Sequence, residues 1–218
     1  MELCNGNNAE DNSELDPVFS ELDPVFCDLD PVFCDLDPVF SELDPVFCDL
    51  DPVFCELERI GCIQNGDFTL KSGAKSSHYF DMRLLISQPM LLSQIGDMIY
   101  YMLGDVDLIC AIPHGGMPVA AYISTKYNIP LIFIRDKVKE YGSQKQIEGV
   151  FKSSDKCVLI DDVMTSGGSI MDAYNIIRDK VNVVGACVIM DRLETSTEMP
   201  IPVRHVFTKN DYIQYQKK

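Results

Sequence analysis

The chain has 218 residues, 46% hydrophobic and 24% charged, a composition typical of a globular protein with one sizeable core. The formal net charge is −16, yet residues 1–56 hold 16 acidic residues and no Lys or Arg. Residues 57–218 therefore balance 18 acidic against 18 basic residues, which argues against a nucleic-acid binder with a broad basic face.

The sequence shows neither a targeting signal nor a membrane segment. Residues 1–13 are polar and acidic, unlike a secretory signal, and no apolar run approaches the ~18 residues of a membrane span. We therefore expect a cytoplasmic protein. The nine cysteines include no Cys-x-x-Cys pair, so we expect free thiols rather than a zinc site or a redox motif.

The N-terminal segment is a heptad repeat. Six copies of Leu-Asp-Pro-Val-Phe, each followed by Ser or Cys and then Asp or Glu, run from Leu15 to Glu56, and a degenerate copy starts at Leu57. The proline in every copy interrupts a helix every second turn and excludes a coiled coil. Each Asp-Pro could cap one short helical turn, with Asp at the N-cap and Pro at the first helical position.

We expect residues 1–56 to form an acidic low-complexity tail that is mostly disordered. A docked extension of a dimer surface and a partner-binding module are the two alternatives for this segment. The degenerate copy at Leu57 suggests that the repeat grew outward from the first helix of the folded part.

After the tail, apolar runs alternate with helical patterns. Residues 66–83 predict a small hood of strands and turns. Strands are predicted at Val106–Pro113, Leu131–Arg135, Cys157–Asp161 and Val181–Met190, and helices at Met90–Leu103, Gly116–Tyr127 and Gly168–Asp179. This alternation predicts an α/β, Rossmann-like fold with a parallel sheet flanked by helices, and ligands beyond the carboxyl ends of the strands.

The turn after the third predicted strand carries the strongest binding signal. The strand ends in Asp161 and Asp162, and the residues that follow are Val163, Met164, Thr165, Ser166, Gly167, Gly168 and Ser169. Backbone N–H groups at a helix N-terminus, with hydroxyls and glycines beside them, can hold a phosphate. The two carboxylates would repel a bare phosphate but can accept hydrogen bonds from vicinal hydroxyls, so a sugar phosphate is predicted. An ordinary helix cap is the alternative.

Four motifs in order resemble those of type I phosphoribosyltransferases, and in particular the orotate phosphoribosyltransferase family, in the version found in eukaryotic UMP synthase. The acid pair and its turn resemble the phosphoribosyl diphosphate (PRPP) motif of that family. Residues 67–83 resemble its hood signature, residues 135–149 its flexible catalytic loop, and Met190-Asp191-Arg192 its motif after the next strand. The resemblance covers residues 57–194.

The resemblance implies transfer of ribose 5-phosphate from PRPP to orotate, giving orotidine 5′-phosphate and diphosphate, by a homodimer with shared active sites. Mg²⁺ is the implied cofactor, carried mainly by PRPP, with Asp162 as the side chain that could assist. Membranes and nucleic acids are not expected partners. Two alternatives remain open: an enzyme of the same class that uses another base, and a non-catalytic PRPP-binding regulator.

The resemblance also implies domain boundaries and residue roles. The transferase domain spans residues 57–218, with the hood at about 57–86 and the flexible loop at about 136–148. The implied catalytic residues are Lys139, Asp161 and Asp162. The implied PRPP-binding residues are Lys71, Arg135, Lys137, Lys139, Tyr141 and all nine residues from Asp161 to Ser169. The implied orotate-binding residues are Tyr79, Phe80, Thr165 and Arg192, where Arg192 could pair bidentately with the orotate carboxylate or, alternatively, with Asp191.

Three positions depart from the family pattern. Many members have a second base directly after the loop arginine, where this chain has Asp136, and many bacterial members have His in place of Tyr141. Some members have an aromatic residue and a lysine after the first strand, where this chain has His114-Gly115-Gly116. A lysine ligand to diphosphate is therefore absent there, and we expect backbone amides of the glycines to replace it.

Overall fold

The computed structural model describes residues 50–69, 73, 75–135, 146–192 and 198–218, all within the unit Phe47–Lys218. The helices are α1 (Asp51–Arg59), α2 (Pro89–Leu103), α3 (Gly116–Tyr127), α4 (Gly168–Ile177) and α5 (Lys209–Tyr215). The strands are β1 (Ile63–Thr69), β2 (Lys75–Phe80), β3 (Leu108–Ala111), β4 (Leu131–Ile134), β5 (Ile147–Glu148), β6 (Lys156–Met164), β7 (Asn182–Asp191) and β8 (Val203–Thr208). A 3₁₀ turn, Met82–Ser87, leads from β2 into α2.

Six strands form the main sheet in the order β5-β4-β3-β6-β7-β8. All neighbours are parallel except the short edge strand β5, which runs antiparallel to β4. The chain therefore confirms the predicted α/β fold with a parallel sheet flanked by helices. Because β3 and β6 are adjacent and parallel, the loops that follow their carboxyl ends lie next to each other at the same edge of the sheet.

Alternate residues of the central strands bury opposite faces of the sheet. Ile109 and Ala111 pack in one core cluster with residues of α1, α2 and α3, whereas Leu108 and Cys110 pack in a second cluster with residues of α4. Successive side chains of a strand point to opposite faces, so a fully apolar strand requires helices on both sides. The strand sequences are continuously apolar because both faces of the sheet are covered by helices.

One strand boundary, the end of β6, differs from the prediction in a way that matters for the site. Strand β6 continues to Met164 rather than ending at Asp161, because Val163 and Met164 still pair with Met190 and Asp191 of β7. Asp161 and Asp162 thus lie inside the hydrogen-bonded part of β6, where the backbone is held by β7. Strands β5 and β8 and helix α5 were not among the predicted elements.

Strands β1 and β2 form the separate two-stranded antiparallel sheet predicted as the hood. Their register pairs Ile63 with Phe80 and Gln64 with Tyr79, and shifts between Asn65 and Phe68. The hood is followed directly by the 3₁₀ turn, whose N-cap Asp81 accepts a hydrogen bond from the backbone N–H of Arg83.

The predicted boundary of the tail at residue 56 is wrong, because the last complete heptad copy forms most of α1. Val53, Phe54 and Leu57 are each at most 2% exposed. This copy is followed by Leu57-Glu58-Arg59 instead of another Leu-Asp-Pro, so no proline stops the helix after its second turn. The N-cap is Leu50, without a side-chain cap, and not the predicted aspartate. Residues 1–49 lie outside the described part of the chain.

The described cysteines are all free thiols, as expected, and all but Cys55 are buried. None of the described helices combines the length and the apolar character that a membrane crossing requires.

Candidate active site at the carboxyl ends of the central strands

A cavity of about 450 Å³ lies between the hood and the carboxyl ends of β3, β6 and β7. It brings together most of the described residues for which the sequence implied a role. These are Tyr79, Phe80, Asp161, Asp162, Val163, Thr165, Ser169 and Arg192. A second cavity of about 290 Å³ adjoins it through Asp161, Val163, Thr165 and Ser169, and contains Met164, Ser166, Gly167 and Gly168 as well.

The smaller cavity is formed by the turn that joins β6 to α4. Gly167 adopts a left-handed conformation with φ of 76° at the N-cap of α4, a conformation that favours glycine. The first N–H groups of α4 therefore face this cavity together with the hydroxyls of Thr165, Ser166 and Ser169. This combination is suited to binding a phosphate.

The acid pair occupies the boundary between the two cavities. Asp161 is 6% exposed, and one of its oxygens accepts a hydrogen bond from the backbone N–H of Asp162 at 2.9 Å. Asp162 likewise accepts one from the backbone N–H of Val163 at 2.9 Å. Burial raises the pKa of Asp161 to about 8, and the neighbouring negative charge of Asp162 contributes to the rise.

Glycines after β3 bring the backbone against the acid pair. A Cβ on Gly115 would lie 2.1–2.3 Å from the carboxylate of Asp162, and a Cβ on Gly116 would lie 2.2 Å from the carbonyl oxygen of Ile160. Both positions therefore require glycine. The peptide bond between Pro113 and His114, just before them, is cis.

Arg192 and Phe80 define the other end of the larger cavity. Arg192 is 6% exposed, its guanidinium carbon lies 5.9 Å from the centre of the Phe80 ring, and its backbone N–H donates to the carbonyl of Met164 at 3.0 Å. Tyr79, which packs against Phe68 with ring centres 5.4 Å apart, lines the cavity beside Phe80. The result is a cationic group and aromatic surface side by side, suited to a planar anionic ring.

Arg135 is placed differently from the other implied ligands. Its Nε lies 2.6 Å from Glu148, and it lines a neighbouring cavity of about 540 Å³ that shares Pro113 and Ser169 with the sites above. Lys71, Lys137, Lys139 and Tyr141 lie outside the described residues. Among the residues that the structure describes, no three His, Cys, Asp or Glu side chains form a cluster that could hold a metal ion.

The structure adds Arg83 and Asp81 to this site, two residues to which sequence reasoning assigned no role. Arg83 donates to both carboxylate oxygens of Asp81, from Nε at 2.7 Å and from an Nη at 2.6 Å, and both residues line the larger cavity. In the sequence, an acidic and a basic residue two positions apart, directly after β2, could have indicated this ion pair.

Comparisons with known proteins agree with this geometry. Residues 86–216 match the family model described as phosphoribosyl transferase domain. The orotate phosphoribosyltransferase of Methanocaldococcus jannaschii is 37% identical over 141 residues, covering 64% of this chain and 80% of the relative. The uridine 5′-monophosphate synthase of Bos taurus is 33% identical over 132 residues, covering 58% of this chain and 28% of the relative.

A solved structure leads to the same family. The crystal structure of orotate phosphoribosyltransferase from Aeropyrum pernix matches with a TM-score of 0.68 and 29% identity, covering 78% of this chain and 98% of that one. The sequence similarity, the shared fold and the arrangement of acid pair, glycine turn and buried arginine coincide. The chain therefore belongs to the phosphoribosyl transferase domain family and, within it, to the orotate phosphoribosyltransferases.

Proposed function

We propose that this protein transfers ribose 5-phosphate from PRPP to orotate, giving orotidine 5′-phosphate and diphosphate in pyrimidine biosynthesis. The observation that carries the proposal is the continuity of the two cavities. A phosphate-binding turn, an acid pair and a buried arginine beside aromatic rings follow one another in the order required by phosphate, ribose and base.

The turn and the acid pair hold the ribose 5-phosphate unit. The N–H groups at the start of α4 and the hydroxyls of Thr165, Ser166 and Ser169 bind the 5′-phosphate. Asp161 and Asp162 accept hydrogen bonds from the two ribose hydroxyls, which fixes the sugar against the rigid end of β6.

Arg192 selects the base. Its guanidinium pairs with the orotate carboxylate, and Phe80, Tyr79 and Thr165 bound the ring. Uracil and the purine bases lack that carboxylate and cannot form the charge-assisted pair with Arg192, so they bind less tightly.

In the reaction the bond between C1 of the ribose and the diphosphate oxygen breaks, and N1 of orotate forms the new bond to C1 while its proton is released to solvent. Positive charge develops on the sugar ring and negative charge on the departing diphosphate. Cationic groups and an enclosed site therefore accelerate the step, and the protein supplies no covalent intermediate. Lys139, with Lys71, Arg135 and Lys137, is proposed to stabilise the diphosphate from the hood and the loop, and Tyr141 to contact PRPP.

The residues fit a Mg²⁺ ion that arrives on the substrate. The described part of the chain offers no cage of three ligating side chains, and Asp162 is a half-buried carboxylate that faces the cavity. Mg²⁺ keeps several waters and prefers phosphate oxygens with one or two carboxylates. When bound, it would neutralise charge on the diphosphate.

A substrate screen tests the proposal. Purified protein is incubated with PRPP, Mg²⁺ and, separately, orotate, uracil, hypoxanthine and adenine, and diphosphate release is measured. Orotate is expected to react and the other bases are not. Equal use of uracil or hypoxanthine would point to a sibling enzyme, and PRPP binding without turnover of any base would point to a regulator.

Arg192→Ala sharpens the screen. We expect kcat/KM for orotate to fall by about 10³-fold, because a buried charge-assisted pair is lost, while the Kd for PRPP stays within about twofold. Arg178→Ala, an exposed arginine at the C-cap of α4, is the matched control and should leave both values unchanged. A parallel loss of PRPP binding in Arg192→Ala would contradict the assignment of this arginine to the base.

A further inference from the structure

The larger cavity carries negative charge where a diphosphate must sit. The carboxylate of Asp162 lines it, and the diphosphate group of PRPP adds further negative charge. Like charges at such short range in a partly enclosed site oppose binding unless a cation lies nearby. The site therefore needs a positive group close to the acid pair.

The turn after β3 contributes His114 to the cavity but no Lys or Arg side chain. Gly115 is held against Asp162 so closely that even a Cβ would overlap the carboxylate. Gly116 is held equally closely against the carbonyl of Ile160. A lysine side chain does not fit at either glycine position, so these two residues can act only through their backbone groups.

Arg83 faces the same cavity from the hood side. Its guanidinium is held by the two hydrogen bonds to Asp81, whose carboxylate also accepts the backbone N–H of Arg83 at 3.2 Å. Asp81 is itself fixed, because its backbone N–H donates to the carbonyl of Cys62 at 2.7 Å. The side chain of Asp81 is 17% exposed and that of Arg83 is 62% exposed.

The two hydrogen bonds to Asp81 orient the guanidinium of Arg83 and leave some of its N–H donors available. Two of the three nitrogens point to Asp81, and the planar group carries five N–H donors in all. The hydrogen bonds to Asp81 and the charge of Asp81 raise the pKa of Arg83 above its ordinary value, and the charge of Asp162 makes a smaller contribution in the same direction. Arg192, the other arginine lining the cavity, is buried beside Phe80.

We propose that Arg83 binds the diphosphate group of PRPP and stabilises it as it leaves, replacing from the hood the cation that the turn after β3 cannot carry. The inference rests on the proposed function, because the anion it names is the leaving group of that reaction. Asp81 is a positioning residue in this account, since it holds the guanidinium and does not touch substrate.

Direct binding of inorganic diphosphate with Mg²⁺, measured by calorimetry, tests the role separately from turnover. Arg83→Gln should raise the Kd for diphosphate by about 10- to 100-fold, because a charge-assisted pair is lost, and should lower kcat/KM for PRPP by a similar factor. The Kd for orotidine 5′-phosphate, which lacks the diphosphate, should stay within about twofold. Arg83→Lys keeps the charge but loses the planar guanidinium, so its Kd for diphosphate should lie between those of the wild type and Arg83→Gln.

Arg59→Gln is the matched control. Arg59 is 61% exposed and is paired with Glu56 at 2.7 Å, so its exposure and pairing resemble those of Arg83, but it lies on α1 outside the cavity. It should leave every constant unchanged. Asp81→Asn should weaken diphosphate binding less than Arg83→Gln does, and thermal unfolding of each variant checks that it folds.

Three results separate the possible failures. If the wild type binds diphosphate and PRPP and Arg83→Gln binds diphosphate equally well, the inference about Arg83 is overturned and the proposed function stands. If the wild type binds neither diphosphate nor PRPP, the proposed function itself fails. An equal loss of diphosphate and orotidine 5′-phosphate binding in a folded Arg83→Gln variant would also overturn the specific role.

Discussion

At the scale of single residues, the position of Asp161 in the fold changes the pKa of its carboxyl group. Asp161 lies at the end of a central strand and is almost fully buried, so ionising it means placing charge in a poorly solvated place next to Asp162. Its pKa of about 8 means that the substrate-free protein keeps a proton on this carboxyl at neutral pH. The same carboxyl in an unfolded chain loses its proton at about pH 4.

This difference predicts a pH dependence of stability. The folded state binds the extra proton between about pH 4 and pH 8, so the group's stabilising contribution is complete below pH 4 and is lost as pH rises towards 8. Asp161→Asn, which does not titrate, should remove a slope of at most ~1.4 kcal/mol per pH unit from the free energy of unfolding in this window. Urea unfolding of both proteins from pH 5 to pH 8 measures the slopes, and identical slopes would contradict the raised pKa.

At the scale of elements, α1 is held by an aromatic cluster that closes one end of the fold. The ring of Phe54 lies 5.1 Å from that of Phe207, 5.7 Å from that of Tyr212 and 5.4 Å from that of Tyr215. The hydroxyl of Tyr212 donates to Glu58, so the last turn of α1 is bound to α5 by a polar contact as well. The helix is therefore stabilised by tertiary packing, since nine residues alone are too few for a stable helix.

Phe54→Ala should cost about 3–5 kcal/mol of folding free energy, because it leaves a cavity among these rings. The melting temperature should fall by about 10 °C. The neighbouring Cys55→Ala is the control: Cys55 is exposed on the same helix and should change stability by less than about 0.5 kcal/mol. Similar melting temperatures for the two variants would show that α1 contributes little to the fold.

At the scale of the whole molecule, the last copy of the acidic repeat is part of the folded unit, where it forms most of α1. All the net charge belongs to residues 1–56, whereas the site is built entirely from residues that follow. The tail before α1 holds no Lys or Arg that could bind phosphate. Its contribution to catalysis should be correspondingly small.

A chain that begins at Phe47 should therefore retain the turnover and melting temperature of the full-length protein. A chain that begins at Phe54 should lose several degrees of melting temperature, because it lacks Val53 and the first turn of α1. Both truncations are compared with the full chain by orotate turnover, thermal unfolding and molecular mass. Loss of activity or a change of mass in the chain that begins at Phe47 would favour a docked or partner-binding tail.

The proposed homodimer is tested by mixing inactive variants. Lys139→Ala and the double variant Asp161→Asn, Asp162→Asn should each lose activity as pure dimers. If the loop of one chain reaches the site of its neighbour, a mixed dimer contains one site that has both an intact acid pair and an intact Lys139. Mixing should therefore restore up to about a quarter of the wild-type activity, because random pairing makes half of the dimers mixed and each has one of two sites. Mixed dimers that form without any recovery would show that each chain uses its own loop.

The sequence by itself determined the sheet, the turn rich in glycine and hydroxyl groups between β6 and α4, and the family, because each depends on local patterns. Apolar strands between helical segments require a covered parallel sheet, and two acids followed by hydroxyls and glycines identify the turn whatever surrounds it. Tertiary structure alone decided the rest. The docking of the last heptad copy depends on a groove formed by β8 and α5, about 150 residues later in the chain. Arg83 and Asp162 line one cavity, and a side chain at Gly115 would overlap Asp162, because the hood, β3 and β6 converge in space, which no spacing in the sequence encodes.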